Sequence, residues 1–259
     1  MKAREIREYF LSHADWVNRE TTVDTFKHGD PEVEVTSVGV TWMLTMDAID
    51  EAEKLGVNFV ITHEPTFYTH TDDVEEVGDD PVYLAKRKRL DEAGLTVLRI
   101  HDSWDNRPDV GIGPTLVKLL GLTRLEGDEH KVKVYRPESA TTLDAFAALV
   151  RDRLGMDAVQ VMGDGERPVT RVGTCFGMSG GLVRLRRYVA AGVDCIVAGE
   201  MINWQDVRYL QDNRCPLIMT DHAASENPGM RSMTRLVTET FGVPAHFIET
   251  GPALRTEAR

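Results

Sequence analysis

Three groups of imidazole and carboxylate stand out in this 259-residue chain. His222 and Glu226 lie four residues apart, directly after the apolar residues 216–219. His63-Glu64-Pro65 follows a second apolar stretch, 59–61, by one residue. His101 and Asp105 follow a third, 97–100. Imidazole with carboxylate is a borderline ligand set suited to zinc, iron or manganese. A spacing of four puts His222 and Glu226 on one side of a helical turn. Pro65 holds Glu64 extended, and neighbouring side chains of an extended segment diverge. His63 and Glu64 therefore either serve two different metals or bend around one. If Asp105 shares the face of His101, Asp102 is directed elsewhere. Trp104 either walls such a site or packs in the core. Each group taken singly also reads as a solvated surface pair. Three such groups, each just after an apolar strand, point together to a metal site. There are enough carboxylates to neutralise two divalent ions, and two ions about 3.5–4 Å apart polarise a substrate and generate hydroxide near neutral pH.

Two further features border on chemistry. Gly177-Met-Ser-Gly-Gly181 lies between a strand ending at 176 and a helix starting at 182. The backbone N–H groups of Gly177, Ser179, Gly180 and Gly181 are placed either to receive an anion or to form a tight turn. The Gly-Lys-Ser/Thr ending of a phosphate-binding loop is missing, and so is a full Gly-x-Gly-x-x-Gly. Glu200 ends another apolar strand, where it is a general base, a partner of a ligand, or a solvated carboxylate. No serine sits in a nucleophile elbow, so a Ser-His-Asp mechanism is not indicated.

The elements that must position these groups recur as helix, glycine, apolar strand. Residues 47–55, Gly56 and 57–61 form one such unit; 83–93, Gly94 and 95–100 form the next. Residues 182–191, Gly192 and 193–198 repeat it, as do 206–212, Asn213 and 215–219. Aligned on the capping glycines, His63 falls opposite His101. Alternation predicts strands over 32–40, 130–135, 158–162 and 169–176, an amphipathic helix over 142–154 capped by Thr141 or Thr142, a last helix over 229–241 and a last strand over 245–249. The expected fold is α/β: two α/β lobes with central mixed sheets, the metal site at strand C-terminal ends between the lobes. Residues 1–125 make the first lobe and 126–259 the second, with the last strand able to return to the first.

The formal net charge of −12 disfavours general nucleic-acid binding, because the surface repels a phosphate backbone. A metal site still accepts a small phosphorylated ligand, since the ion supplies the positive charge. No apolar run approaches the ~20 residues needed to cross a bilayer. The first residues mix charged and apolar groups as an amphipathic helix does, so a cytoplasmic address is the expectation. Three cysteines, Cys175, Cys195 and Cys215, sit among apolar residues with no Cys-x-x-Cys pair and read as buried small hydrophobes.

With these residues in view, the chain resembles the Ngg-interacting-factor-three-like family, also labelled GTP cyclohydrolase I type 2 homologues. The matching motifs are His63-Glu-Pro65, His101 to Asp105, Gly177 to Gly181, Ala198-Gly-Glu200 and Asp221-His222 to Glu226, covering roughly residues 36–121 and 170–251. The resemblance implies a divalent metal pair, of zinc, iron or manganese, on His63, Glu64, Asp105, His222 and Glu226, with His101 a neighbour that supports a ligand. It also implies a ring-shaped homohexamer. Family members carry a second histidine where this chain has Glu64, and a carboxylate there hardens the site and adds negative charge. Asp15-Trp-Val-Asn18 only echoes the family's Trp-Asp-Asn. The implied function is a di-metal hydrolase acting on a C–N bond. Metal-bound hydroxide would attack a nucleotide or another cyclic amide or amidine, with Glu200 or Glu64 moving protons; for GTP the target is guanine C8. The alternative is a non-enzymatic metal-binding protein with an interaction or regulatory role.

Overall fold

The amphipathic start folds as helix α1 (Ala3–Ser12), which buries Ala3, Ile6, Phe10 and Leu11 at helical spacing. This computed structural model describes residues 1–125, 132–254 and 257. Strands β1 (Phe26–His28) and β2 (Val38–Thr41) follow. Helix α2 (Met46–Lys54) opens on Thr45, whose side chain accepts the Ala48 N–H. After β3 (Phe59–Thr62), helix α3 (Pro81–Glu92) is capped by Asp80 and starts on a proline, whose missing N–H costs nothing there. Then come β4 (Thr96–Arg99), the one-turn α4 (Asp102–Asp105) and α5 (Ile112–Leu119). The chain continues through β5 (Leu122–Arg124), β6 (Val134–Pro137), β7 (Thr141–Thr142), α6 (Leu143–Leu154), β8 (Gln160–Met162), β9 (Pro168–Val169) and β10 (Val172–Met178). Helix α7 (Gly181–Ala190), β11 (Cys195–Glu200), a π-helical turn (Asn203–Val207), α8 (Arg208–Asp212), β12 (Leu217–Met219), α9 (His222–Phe241) and β13 (Ala245–Ile248) complete it.

The chain divides into two compact units, Met1–Pro114 with Asn227–Thr250, and Thr115–Glu226 with Gly251–Arg259. Both are α/β, and each has its own mixed sheet. In the first, the strand order among the described residues is β1-β4-β3-β2-β13. β4, β3, β2 and β13 run parallel, and β1 is antiparallel at the edge. Val40, Phe59, Ile61 and Leu98 face one core with Phe10, Trp104 and Met230. Val60, Val97 and Ile248 face another with α2 and α3. A parallel sheet covered on both faces explains why these strands read as continuous apolar runs. In the second unit the order is β5-β6-β10-β11-β12-β8, with β10, β11 and β12 parallel and antiparallel strands outside them.

Several sequence expectations shift. The strand over 32–40 is confined to Val38–Thr41, because the backbone around 31–35 bonds to the chain start: Ala3 N–H to Val33 O, Arg4 N–H to Pro31 O and Val35 N–H to Met1 O. The strand over 130–135 lies partly outside the described residues, and its described part runs Val134–Pro137. The strand over 169–176 breaks in two, since the Asp194 carboxylate takes the Thr170 and Arg171 N–H groups. The last helix begins at His222, seven residues earlier than expected, and keeps Pro228 in its interior. Its start is set by Asp221, whose carboxylate accepts the Ala224 N–H at 3.0 Å.

Candidate metal centre

In the first unit, β3 and β4 are paired in parallel with Thr62 level with Arg99. His63-Glu64 and His101 therefore leave the same edge of the sheet. The register offsets by one residue the alignment made on the capping glycines, yet the His63 and His101 rings stack with centroids 4.6 Å apart. His63 is fully buried, and its Nδ1 lies 3.0 Å from Ile100 O. A carbonyl only accepts, so Nδ1 is the donor in this contact. The Nε2 of His63 faces Asp105 Oδ1 at 3.3 Å. The same division holds for His101. Its Nδ1 donates to Asp102 Oδ1 at 2.9 Å, and its Nε2 faces Glu64 Oε1 at 3.9 Å. Asp105 thus pairs with His63, and the partner of His101 is Asp102, which the spacing argument had directed elsewhere. Trp104 packs in the core, fully buried, with its indole N–H donating to Gly229 O at 3.2 Å.

Three groups not singled out in the sequence hold this cluster. Arg99 is fully buried; it donates to His63 O at 2.9 Å and to His70 O, and lies 3.5 Å from Glu64 Oε2. Lys86 donates to Thr66 O at 2.6 Å, and burial pushes its amine down to about 8. Asp24, also fully buried, accepts the N–H groups of His101, Asp102 and Ser103 at 2.7, 2.8 and 3.0 Å and the Ser103 hydroxyl at 2.5 Å. It thereby ties down the first turn of α4. Arg99 had a signal in the sequence: a cation inside a buried strand survives only with partners. Asp24 had none, because its partners are backbone groups 77–79 residues away. The hydrogen bond from His101 is the largest influence on Asp102; burial opposes it, Thr22 and Val23 add to it, and the carboxyl is held far below its usual range.

In the second unit, β10, β11 and β12 bring the glycine loop, Glu200 and His222 to one sheet edge, with Met178 level with Glu200 and Ala198 with Met219. His222 Nε2 lies 3.3 Å from Glu226 Oε2, the i,i+4 pair expected of a helical turn, and its Nδ1 faces the half-exposed Glu200 at 3.6 Å. Gly177 has φ +65°, and a side chain there would overlap Glu226 Oε1 and come within 2.9 Å of His222 Nε2. Its N–H donates to Ser225 Oγ at 2.9 Å. Gly199 is needed for a second close approach, since a Cβ would lie 2.8 Å from Gly177 N and from Ser225 Oγ. The Ser179 hydroxyl donates to Asp206 Oδ2 at 2.5 Å and accepts the Gly181 N–H at 3.1 Å, so the loop is closed by an internal carboxylate. Gly180 precedes α7 in the left-handed conformation.

The donor sets fit divalent ions. Three imidazoles turn Nδ1 to an oxygen of the protein and Nε2 to a carboxylate: Asp105, Glu64 and Glu226. A carboxylate has no proton to offer, so each Nε2–carboxylate approach is relieved by a cation placed against both, be it a metal or a proton. His63, Glu64 and His101 each present a ligand atom within 4.8 Å of the others. The three cysteines are buried and free, well away from such chemistry in character, with burial pushing each thiol up. No helix among the described residues is long and apolar enough to cross a membrane.

A family model described as Duf34/NIF3 (NGG1p interacting factor 3) matches residues 1–252. The chain is similar to a Pyrococcus horikoshii protein named GTP cyclohydrolase 1 type 2 homolog, with 26% identity over 258 residues that span 96% of this chain and 99% of that one. A Pyrococcus abyssi protein of the same name is 28% identical over 232 residues, 87% of this chain and 88% of that one. Among solved structures, protein ybgI, described as of unknown function, is similar at a TM-score of 0.82 and 21% identity, covering 98% of this chain and all of that one; this likeness concerns the fold.

Proposed function

Because the chain belongs to the Duf34/NIF3 family, we propose that His63, Glu64, Asp105, His222 and Glu226 hold divalent metal ions. In this reading the loaded protein hydrolyses a C–N bond of a nucleotide or another cyclic amide or amidine. The observation that carries it is the repeated division of labour in the imidazoles, Nδ1 to a protein oxygen and Nε2 to a carboxylate. The names of the Pyrococcus relatives support the substrate class.

A divalent ion at such a site supplies Lewis-acid polarisation and lowers the pKa of water. The chain's own residues do the rest. Glu200, half-exposed and 3.6 Å from His222 Nδ1, is the proton carrier at the rim. Glu64 is the second candidate for that task, and its charge is offset by buried Arg99. The glycine loop, with Gly177, Ser179, Gly180 and Gly181, is the backbone wall on the substrate side. A ring-shaped homohexamer belongs to the same reading.

The test is elemental analysis of freshly purified, tag-free protein, followed by assay of the metal-loaded protein against GTP, other nucleotides and cyclic amides. Turnover that disappears on chelation and in Asp105→Ala is expected. A metal-loaded protein that turns over none of these substrates overturns the hydrolase reading. If chelation then lowers the melting temperature, the metals serve stability or interaction instead.

A further inference from the structure

We propose that Trp204, bordered by Met178, Val183 and Ile202, is a stacking platform for the ring of the substrate. The ring that reacts is then a conjugated N-heterocycle of nucleobase type, not a saturated cyclic amide. This rests on the hydrolase reading above and narrows its substrate class.

The argument starts from a tryptophan in an unusual place. Trp204 is 76% exposed, although an indole is highly buried on average. Trp16, the next most exposed, is tied through its N–H to Asp102 O at 3.0 Å. Trp204 sits on the π-helical turn Asn203–Val207, a geometry that recurs as single turns at functional sites. A buried carboxylate ties this turn down. Asp206 is fully buried; its Oδ2 accepts the Ser179 hydroxyl at 2.5 Å and the Ile202 N–H at 3.3 Å, and its Oδ1 accepts the Gln205 side-chain amide at 3.1 Å. These charge-assisted bonds join the turn to the glycine loop. The indole is therefore carried on an ordered turn, and stacking on it costs little further ordering.

The neighbours indicate what covers the ring. Met178, Val183 and Ile202 are exposed apolar side chains. Met178 is level with Glu200 across the parallel pair β10 and β11, and the Ser179 N–H donates to Glu200 O at 3.1 Å. Val183 lies in the first turn of α7, which packs against the π-helical turn. An indole and three aliphatic side chains thus border the half-exposed carboxylate of Glu200. Apolar surface with one acceptor suits a flat ring with N–H groups on its edge, because the face stacks and the carboxylate takes the edge. A second copy of the chain suits it less. A stable interface needs roughly 800 Å² from each partner and a core poor in charge, whereas this patch is small and has a carboxylate in it. Stacking also separates substrates. One aromatic platform gives a nucleobase roughly 5- to 150-fold in affinity, and a saturated cyclic amide has no π-face to stack.

Guanosine and dihydrouracil are the probes, titrated by calorimetry into tag-free full-length protein with and without chelator. Wild type is expected to bind guanosine in both conditions, since stacking needs no metal. Trp204→Phe keeps a π-face and is expected to hold guanosine within about 3-fold of wild type. Trp204→Leu keeps apolar area without a π-face and is expected to lose about 10-fold or more. Dihydrouracil affinity is expected to change by less than about 3-fold in either variant. Wild-type guanosine affinity in folded Trp204→Leu, an equal loss for both probes, or a wild type that binds no guanosine overturns the inference. If circular dichroism shows Trp204→Leu unfolded, Trp204→Gln takes its place. Sedimentation covers the other occupant: a smaller assembly in Trp204→Leu with unchanged guanosine affinity assigns the patch to a second copy and overturns the inference. Guanosine binding that depends on Trp204, in a metal-loaded protein that hydrolyses nothing, upholds this inference and overturns the hydrolase reading alone. Turnover of a nucleotide with the same KM in wild type and Trp204→Leu overturns this inference alone.

Discussion

Gly177 illustrates how little room the second cluster leaves. Any side chain there overlaps the Glu226 carboxylate, and the backbone sits at φ +65°. Gly177→Ala is expected to cost about 1–2 kcal/mol for the left-handed strain alone. It should also cut metal content by the share held on His222 and Glu226, read by elemental analysis against wild type. Asp24 is the corresponding residue of the first cluster. It touches no metal-binding atom, yet its carboxylate accepts three N–H groups of the segment that carries His101 and Asp105. Asp24→Ala leaves those buried donors unsatisfied, so a loss of about 2–4 kcal/mol is expected from urea titration of the metal-free protein. Metal affinity should fall with it. Unchanged affinity in a destabilised Asp24→Ala protein would separate the fold of this segment from ligand placement.

At the scale of elements, α9 carries His222 and Glu226 in its first turns. The sequence placed its start at Gly229, just after Ser225 to Pro228, because a proline near a helix start is the familiar signal. The helix instead starts on Asp221, and burial of Met230, Met233 and Val237 holds it through the hydrogen bond lost at Pro228. Asp221→Ala is expected to cost about 1 kcal/mol in a thermal melt. Fraying should reach His222 and weaken metal binding, whereas Asp221→Asn, also a good cap, should retain most of both. The i,i+4 pairing of His222 with Glu226 was legible from spacing alone, since any helical turn produces it. The switch of partners at 101–105 was not. Whether His101 meets Asp105 or Asp102 depends on where Thr22, Val23 and Asp24 arrive, and those residues are brought in from far along the chain.

For the whole molecule, ligand linkage and pH give two checks. Metal that binds only the folded chain adds about 2.7 kcal/mol at a free concentration 100 times Kd, so the melting temperature should rise on loading and fall on chelation. The buried cysteines set the alkaline limit. Burial pushes Cys175 and Cys215 up to about 11 from the ordinary value of 9.0. A group whose folded pKa is raised contributes stability fully below its unfolded pKa and loses it as pH climbs through the folded one. Stability should therefore fall between pH 9 and 11 by roughly 2 kcal/mol per thiol. The measurement is the pH slope of urea stability in wild type against Cys175→Ala/Cys215→Ala. Lys86, pushed down to about 8, acts in the opposite sense but is common to both proteins and cancels. Equal slopes would sink this assignment.

The α/β class, the apolar parallel strands and the residue types at their ends were legible along the chain, because periodicity and capping are local properties. His63, Glu64, His101, Asp105, His222 and Glu226 were all visible as chemistry just after strand ends. The folded arrangement set which nitrogen of each imidazole meets which oxygen. It likewise decided that Arg99 and Asp24 hold the backbone at His63 and His101. Those choices depend on hydrogen-bond partners tens of residues apart, and no pattern along the chain encodes a distance that is closed only when the sheet forms.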